Sequence, residues 1–256
     1  MKILHILFLA LSVLVTMPAL AKEQPGARLE ITENPDSEHS SYYIKLIDIK
    51  TGNPITENDL EIVHTKKLHL LVINPSLTEY YHLHPTSVKP DEWEVDFPEG
   101  KTGRFRVWAD ITRKDTGEQE YIMTDAGLTT GTYKIDTTRN LNSTLGEYRF
   151  SIEFDKKLKA GEEAMATITV MKNGRPFSGL EPVMGAFAHV VGFNEDYKTI
   201  MHTHPLGEEP EKESDRGASP LQFHIEPKKF GFIKIFAQFR IDGKDIFVPF
   251  GIMVDK

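Results

Sequence analysis

The sequence predicts an all-β protein made of tandem immunoglobulin-like β-sandwich domains that arose by internal duplication. Two observations support this fold class: strand-like segments recur along the chain, and the second part of the chain repeats the first. No segment shows the apolar period of about 3.6 residues that is typical of an amphipathic helix. Strands joined by turns are therefore expected to bury the core.

The strand-like segments alternate apolar and polar residues, or are rich in β-branched and aromatic residues. They cover residues 43–49, 93–97, 104–108, 148–154, 167–170 and 232–236. Gly, Pro, Asn and Asp separate them, which gives each part of the chain about seven short strands in roughly 100 residues, as in an immunoglobulin-like sandwich.

The repeat is clearest around the histidines. Two blocks correspond, namely His69-Leu-Leu-Val-Ile-Asn with His189-Val-Val-Gly-Phe-Asn, and His82-Leu-His84-Pro85 with His202-Thr-His204-Pro205. Each of these histidines recurs 120 residues later. Residues 103–108 and 231–236 also correspond, and a hairpin-type turn follows each of them. Duplication explains this pattern better than chance.

These patterns divide the chain into three parts. Residues 1–21 have a lysine, an apolar run and an A-x-A ending, and are predicted to be a signal peptide. The first domain is expected over residues 22–130 and the second over 131–256, with the boundary in the polar stretch 129–143. A charged segment at 208–219 occurs only in the second copy and is predicted to be a solvated loop.

Composition narrows the class of protein. The chain has 39% hydrophobic and 27% charged residues, as in ordinary globular proteins, and a formal net charge of −8. No basic run indicates a nucleic-acid partner. The chain contains no cysteine, which excludes disulfides and acylation at a cysteine. With the signal peptide, these features predict a periplasmic or secreted protein whose mature form has no membrane span.

The repeated histidines predict a metal site in each copy. Residues two apart in a strand share a face, so His82 and His84 project in the same direction. A hairpin closed at residues 74–79 would bring His69 to within about 5 Å of one of them, measured between Cβ atoms. Three imidazoles suit Zn(II), Cu(II), Ni(II) or Fe(II) better than Mg(II) or Ca(II).

A fourth ligand could differ between the copies, because Met184 replaces His64 at the corresponding position. A thioether beside imidazoles favours copper, with zinc as the second choice. The alternative for Met184 is a place in the core among apolar neighbours, and His39 is expected to be solvated. The predicted ligands are His69, His82, His84, His189, His202, His204, His224 and His64.

With its repeated H-x-H-P motifs, and with Phe223-His224-Ile in the second copy, the chain resembles exported bacterial proteins with two immunoglobulin-like β-sandwich modules. Those proteins are related in pattern to periplasmic domains that handle copper and heavy metals. The resemblance covers nearly the whole mature chain and implies the same fold and the same compartment. It implies as ligands His69, His82, His84, His189, His202, His204 and His224.

Three functions remain open from the sequence. The favoured one is a non-catalytic periplasmic protein that binds copper or zinc and sequesters it or passes it to a metal-handling or envelope protein. The second is a cell-envelope interaction module in which the histidines are structural. The third is a metalloenzyme, although the chain has no His-Glu-x-x-His motif and no cupin-type glutamate after His-x-His.

Overall fold

The computed structural model describes residues 25–37, 40–97, 104–127 and 133–256. The predicted signal peptide, His39 and part of the predicted domain boundary lie outside these residues. The described part of the chain contains β-strands and one short 3₁₀ helix, and it has no α-helix. The prediction of an all-β fold is confirmed. No helix in the described ranges has the length and apolar character needed to cross a membrane.

The first half of the chain forms two antiparallel sheets. Its strands are β1 (Ala27–Glu33), β2 (Ser41–Asp48), β3 (Pro54–Ile55), β4 (His69–Ile73), β5 (Tyr80–Leu83), β6 (Thr86–Lys89), β7 (Glu92–Asp96), β8 (Phe105–Thr112) and β9 (Gln119–Ala126), with the 3₁₀ helix at Glu57–Asp59. One sheet has the order β1-β2-β7-β6, with β3 beside β2, and the other has the order β5-β4-β8-β9.

The second half also forms two antiparallel sheets. Its strands are β10 (Asn142–Leu145), β11 (Tyr148–Phe154), β12 (Ala164–Lys172), β13 (Arg175–Pro176), β14 (His189–Asn194), β15 (Ile200–Thr203), β16 (Leu221–Ile225), β17 (Gly231–Ile241) and β18 (Lys244–Val254). One sheet has the order β10-β11-β12-β13, with β16 beside β12, and the other has the order β15-β14-β17-β18. All six predicted strand segments fall on observed strands. Residues 208–219 contain no strand and are largely exposed, as predicted.

Each half encloses its own hydrophobic core, as expected of a two-sheet sandwich. In the first half Ile44, Trp93 and Val107 are among the buried residues of this core. In the second half Phe150 and Phe239 pack against each other with ring centroids 5.5 Å apart. The sheets β5-β4-β8-β9 and β15-β14-β17-β18 each contribute one face to these cores.

The opposite faces of those two sheets pack against each other, which joins the halves. Side chains alternate along β4, so that Leu70 and Val72 enter the core of the first half while Leu71 and Ile73 face the second half. Every residue of β4 and of β14 is buried. The resulting cluster between the halves, which we call the inter-half core, consists of Leu71, Ile73, Leu77, Tyr80, Trp108, Val191, Phe193 and Phe236.

Polar contacts at one side of the inter-half core also link the halves. The Tyr197 hydroxyl donates a hydrogen bond to the carbonyl oxygen of Ile73 over 3.1 Å. The Arg106 guanidinium lies 4.3 Å from the centroid of the Tyr197 ring and donates to the Tyr197 carbonyl oxygen. Asp125 accepts a hydrogen bond from Arg106 Nε over 2.7 Å, so the charge of this buried arginine is paired.

We predict that Phe193→Ala destabilises the whole chain. Phe193 is 1% exposed, and its ring lies 5.3 Å from the Tyr80 ring and 5.4 Å from the Trp108 ring. Its removal leaves a cavity, which costs about 3–5 kcal/mol in free energy of unfolding. Urea unfolding measures this loss, with Met253→Ala on an exposed position as the control, expected to change stability by less than about 0.5 kcal/mol. Equal stability of the two variants would show that the inter-half core contributes little.

Candidate metal centre

Three histidines of the first half converge beside the inter-half core. His69 begins β4, His82 lies in β5 opposite Leu71, and His84 directly follows β5. His69 Nδ1 lies 3.2 Å from His82 Nε2 and 3.2 Å from His84 Nε2. Imidazole nitrogens bound to a tetrahedral metal at about 2.0–2.1 Å lie about 3.3 Å from each other, which matches this spacing. We call these histidines the first triad.

Three corresponding histidines converge in the second half. His189 begins β14, His202 lies in β15 opposite Val191, and His204 directly follows β15. The ring centroids of His189 and His204 lie 4.6 Å apart, and those of His202 and His204 lie 4.7 Å apart. In each group of three, one nitrogen from every ring lies within 4.8 Å of the other two. We call this group the second triad.

The hairpins that the sequence predicted produce both triads. Leu70 pairs with Leu83 and Val190 pairs with Thr203, so that the first histidine of each strand lies beside the last histidine of its hairpin. The histidines occupy the face of the sheet that also carries Leu71 or Val191. Strand alternation therefore turns both triads toward the boundary between the halves.

Backbone carbonyls hold the first histidine of each triad. His69 Nε2 donates a hydrogen bond to the Val63 carbonyl oxygen over 3.0 Å, and His189 Nε2 donates to the Val183 carbonyl oxygen over 2.9 Å. A carbonyl oxygen can only accept, so the proton of each neutral ring is on Nε2. The Nδ1 lone pair of each ring is then directed into its triad.

The two halves exchange side chains to hold the second histidine of each triad. His82 Nδ1 donates to Gln238 Oε1 of the second half over 3.1 Å. His202 Nδ1 donates to Asp110 Oδ2 of the first half over 2.8 Å. Asp110 and Gln238 occupy corresponding places, because Asp110 pairs with His69 across β8 and β4 and Gln238 pairs with His189 across β17 and β14.

These outer hydrogen bonds place a proton on the outer nitrogen of four rings, so that the inner nitrogen of each carries a lone pair when the ring is neutral. In the second triad the buried nitrogens His189 Nδ1, His202 Nε2 and His204 Nε2 have no hydrogen-bond partner among the described residues. In the first triad His69 Nδ1 and His82 Nε2 face each other over 3.2 Å although the outer bonds make both of them acceptors. Lone pairs that converge in this way repel each other unless a cation or a proton lies between them.

Burial favours the neutral form of several of these imidazoles. It lowers the pKa of His69, His82, His189 and His204, and for most of them the neighbouring imidazoles add to the effect. Burial, followed by the nearby His69, lowers the pKa of His84 to about 4. Neutral imidazole is the form that can bind a metal, so burial favours that form in His69, His82, His84, His189 and His204.

The two triads are neighbours. The ring centroid of His82 lies 5.7 Å from that of His189 and 5.8 Å from that of His202. The six histidines therefore form one cluster at the end of the inter-half core. The side chain of Asp110 is 6% exposed, so the cluster includes a buried carboxylate.

His64 lies beside the second triad, not the first. Its ring centroid is 3.7 Å from that of His204 and 5.6 Å from that of His189. His64 and Met184 occupy the same position of two tight turns, closed by mutual hydrogen bonds between Val63 and Lys66 and between Val183 and Ala186. The sequence interpretation assigned His64 to the copy that contains it. That assignment is wrong, because the turn places the His64 ring against histidines of the second half.

His224 lies outside both triads. It is in β16, opposite Met165 of β12, and its side chain is 42% exposed. Its Nε2 is 3.3 Å from Glu163 Oε2, so the structure pairs it with a carboxylate on the outer face of the second half. The alternation of β16 explains this placement, because Phe223 and Ile225 take the buried positions on either side of it.

Asp110 and Gln238 were not among the predicted site residues. A signal for them exists: each is a polar residue in a run of otherwise apolar residues, Val107-Trp-Ala-Asp110-Ile and Phe236-Ala-Gln238-Phe. Alignment of residues 103–108 with 231–236 places them at equivalent positions. A polar residue at equivalent positions of two buried strands indicates that its side chain makes a hydrogen bond.

The fold and the site define an all-β protein with a paired histidine cluster. A family model described as a domain of unknown function (DUF8832) matches residues 143–256, which include the second triad. No curated protein matches the chain.

Two of the solved structures similar to this chain are glycoside-cleaving enzymes by title. The beta-glucuronidase of Parabacteroides merdae is 8% identical with a TM-score of 0.22, and the match covers 90% of this chain and 24% of that one. An endo-fucoidan hydrolase from glycoside hydrolase family 107 is 11% identical with a TM-score of 0.21, and the match covers 92% of this chain and 38% of that one. The chain thus spans less than half the length of either.

We predict that the metal-free protein loses stability as the pH falls below about 6.5. The folded-state pKa of His84 is lowered to about 4, so the unfolded chain binds this proton first and the stability present above pH 6.5 is lost between pH 6.5 and 4. The loss is up to about 1.4 kcal/mol per pH unit for each such imidazole. Urea unfolding at several pH values in a chelator should show a shallower pH dependence for His84→Gln. His224→Gln is the control and should retain the wild-type dependence; an unchanged slope in His84→Gln would contradict the prediction.

Proposed function

We propose that this chain is an exported protein that binds transition-metal ions, copper in first place and zinc in second, and that it sequesters them or passes them to another protein of the periplasm or envelope. The two halves are proposed to be immunoglobulin-like domains related by duplication, each with one histidine triad. The proposal is of a binding protein, and the ion is its cargo.

The observation that carries this proposal is the direction of the inner nitrogens. Outer hydrogen bonds fix the protons of His69, His82, His189 and His202 on the nitrogens that point away from the triads. Metal-binding histidines typically have such an outer partner, which fixes the tautomer and the orientation of the ring. Two inner nitrogens per triad are oriented in this way, and the third ring, His84 or His204, places a nitrogen within 4.8 Å of both.

The donor set supports a borderline or soft transition metal. Imidazole nitrogen suits Cu(II) and Zn(II), while Mg(II) and Ca(II) prefer oxygen ligands. Copper(II) also stands above zinc in the general order of affinity for nitrogen sites. Selection between the two in the cell depends on which ion is available.

The competing hypothesis treats the histidines as structural. The hydrogen bonds from His69 to Val63 and from His189 to Val183 support the turns and are compatible with it. The inner nitrogens argue against it, because three buried ring nitrogens in the second triad have no hydrogen-bond partner among the described residues. Each unsatisfied buried polar group costs about 1–3 kcal/mol, which a purely structural cluster would leave uncompensated.

We predict that the mature chain binds two ions. The measurement is elemental analysis after incubation with micromolar Cu(II) or Zn(II) and removal of the excess. The double variant His82→Ala/His84→Ala should retain one ion, because only the first triad loses its ligands. His224→Ala is the matched control and should retain two, because His224 lies outside both triads. A wild-type chain that retains neither metal would reject the proposal in favour of structural histidines.

A further inference from the structure

We infer that the two triads are unequal metal sites, and that the second triad binds a divalent cation more tightly and is filled first. This inference rests on the proposed function, because it assumes that both triads bind metal. It follows from two differences between the halves at positions that otherwise correspond, and both differences favour the same triad.

The first difference is charge. The oxygen that holds His202 of the second triad belongs to the carboxylate of Asp110, while the oxygen that holds His82 of the first triad belongs to the neutral amide of Gln238. A carboxylate behind an imidazole makes the ring a stronger donor and offsets part of the charge of the ion. Because Asp110 is 4% exposed, solvent screens this effect little.

The surroundings of the two outer groups preserve this difference. Asp110 Oδ1 accepts a hydrogen bond from the neutral side chain of Gln119 over 2.8 Å, which leaves its negative charge in place. Gln238 Nε2 donates to Asp245 Oδ2 over 3.3 Å, but Asp245 is already paired with Arg240 over 2.6 Å. The carboxylate behind Gln238 is therefore more distant and is neutralised. Asp110 also lies near His69, its cross-strand partner, but of the six histidines it makes a direct hydrogen bond only to a ring of the second triad.

The second difference is the additional donor. The turn at residues 63–66 brings the imidazole of His64 to 3.7 Å from the His204 ring, measured between centroids. The corresponding residue of the other turn is Met184, whose thioether is a weaker donor to Zn(II) and Cu(II) than an imidazole. The two turns lie side by side, since a Cβ at Gly185 would be 3.7 Å from Thr65 Cγ2. The His64 ring packs against His204 at an interplanar angle of 34°, so it must turn to direct a nitrogen at an ion in the second triad.

The closeness of the triads makes filling sequential. Rings of the two triads lie 5.7 and 5.8 Å apart, a separation shorter than the screening length of about 8 Å at physiological ionic strength. An ion in the second triad therefore repels a second divalent ion that enters the first. The repulsion widens the gap in affinity that the two differences create.

The test is a titration of the full mature chain with Zn(II) against a chromophoric chelator of known affinity. The wild type should show a tight step and a weak step. His204→Ala should remove the tight step and His84→Ala the weak one. His64→Ala should weaken only the tight step.

Two reciprocal substitutions isolate the effect of charge. Asp110→Asn, which keeps the size of the side chain, should weaken the tight step about 10–100-fold, as substitutions of such outer partners do. Gln238→Glu should strengthen the weak step, because it places a carboxylate behind His82, where the first triad has a neutral amide. If an unfolding curve shows that Asp110→Asn does not fold, the test uses Gln238→Glu alone.

The outcomes separate the inference from the proposed function. Two steps of equal affinity, or loss of the tight step in His84→Ala, would overturn the inference and leave metal binding intact. A wild-type chain that binds neither Zn(II) nor Cu(II) would overturn both. A tight step that disappears in His204→Ala, weakens in Asp110→Asn and persists in His84→Ala would establish the order of filling.

Discussion

The contact between the second faces of two sheets is the constraint on which the rest of this structure depends. A sheet in a sandwich normally buries one face and exposes the other. Here β4 and β14 are buried on both faces, because the outer face of each sheet packs against the other half. The inter-half core and the histidine cluster occupy that shared surface, so neither would have its present environment if the two halves were apart.

Burial on both faces also explains the chemistry of the cluster. Imidazoles on an exposed sheet would be hydrated, and water would satisfy their inner nitrogens. At the boundary between the halves, protein side chains replace water around His82, His189 and His202. The outer nitrogens of four rings donate hydrogen bonds to carbonyl, amide and carboxylate oxygens, and the inner nitrogens face one another. If the proposed function holds, the ligand nitrogens are in place before a cation binds.

Much of this architecture could be predicted from the sequence, because strand periodicity and the repeat are local signals. The hairpins, the class of fold and the membership of each triad follow from residues that lie close together in the chain, such as His69, His82 and His84. The packing of one half on the other does not follow from such signals. Nothing in the spacing of Leu71 or Phe193 distinguishes a residue of an inter-half core from one of an ordinary sandwich core.

The errors of the sequence interpretation have the same origin. His64 was assigned to its own copy because sequence distance is the only distance that a sequence provides, and its neighbour in space, His204, lies 140 residues further along the chain. Asp110 and Gln238 each serve a histidine of the opposite half, so no local motif contains both members of either pair. His224 has the right residue type, but its strand turns it toward Glu163 and solvent.

The exchange of Asp110 and Gln238 between the halves has a consequence for how this chain can evolve. Each half supplies its own three histidines but depends on the other half for the side chain that hydrogen-bonds to one of them. Loss of one half, or a substitution at Asp110 or Gln238, would remove a hydrogen bond from a histidine of the other half. We therefore expect the two halves to evolve together. Compensating substitutions should occur between β8 and β15 and between β17 and β5, the strands that these hydrogen bonds connect.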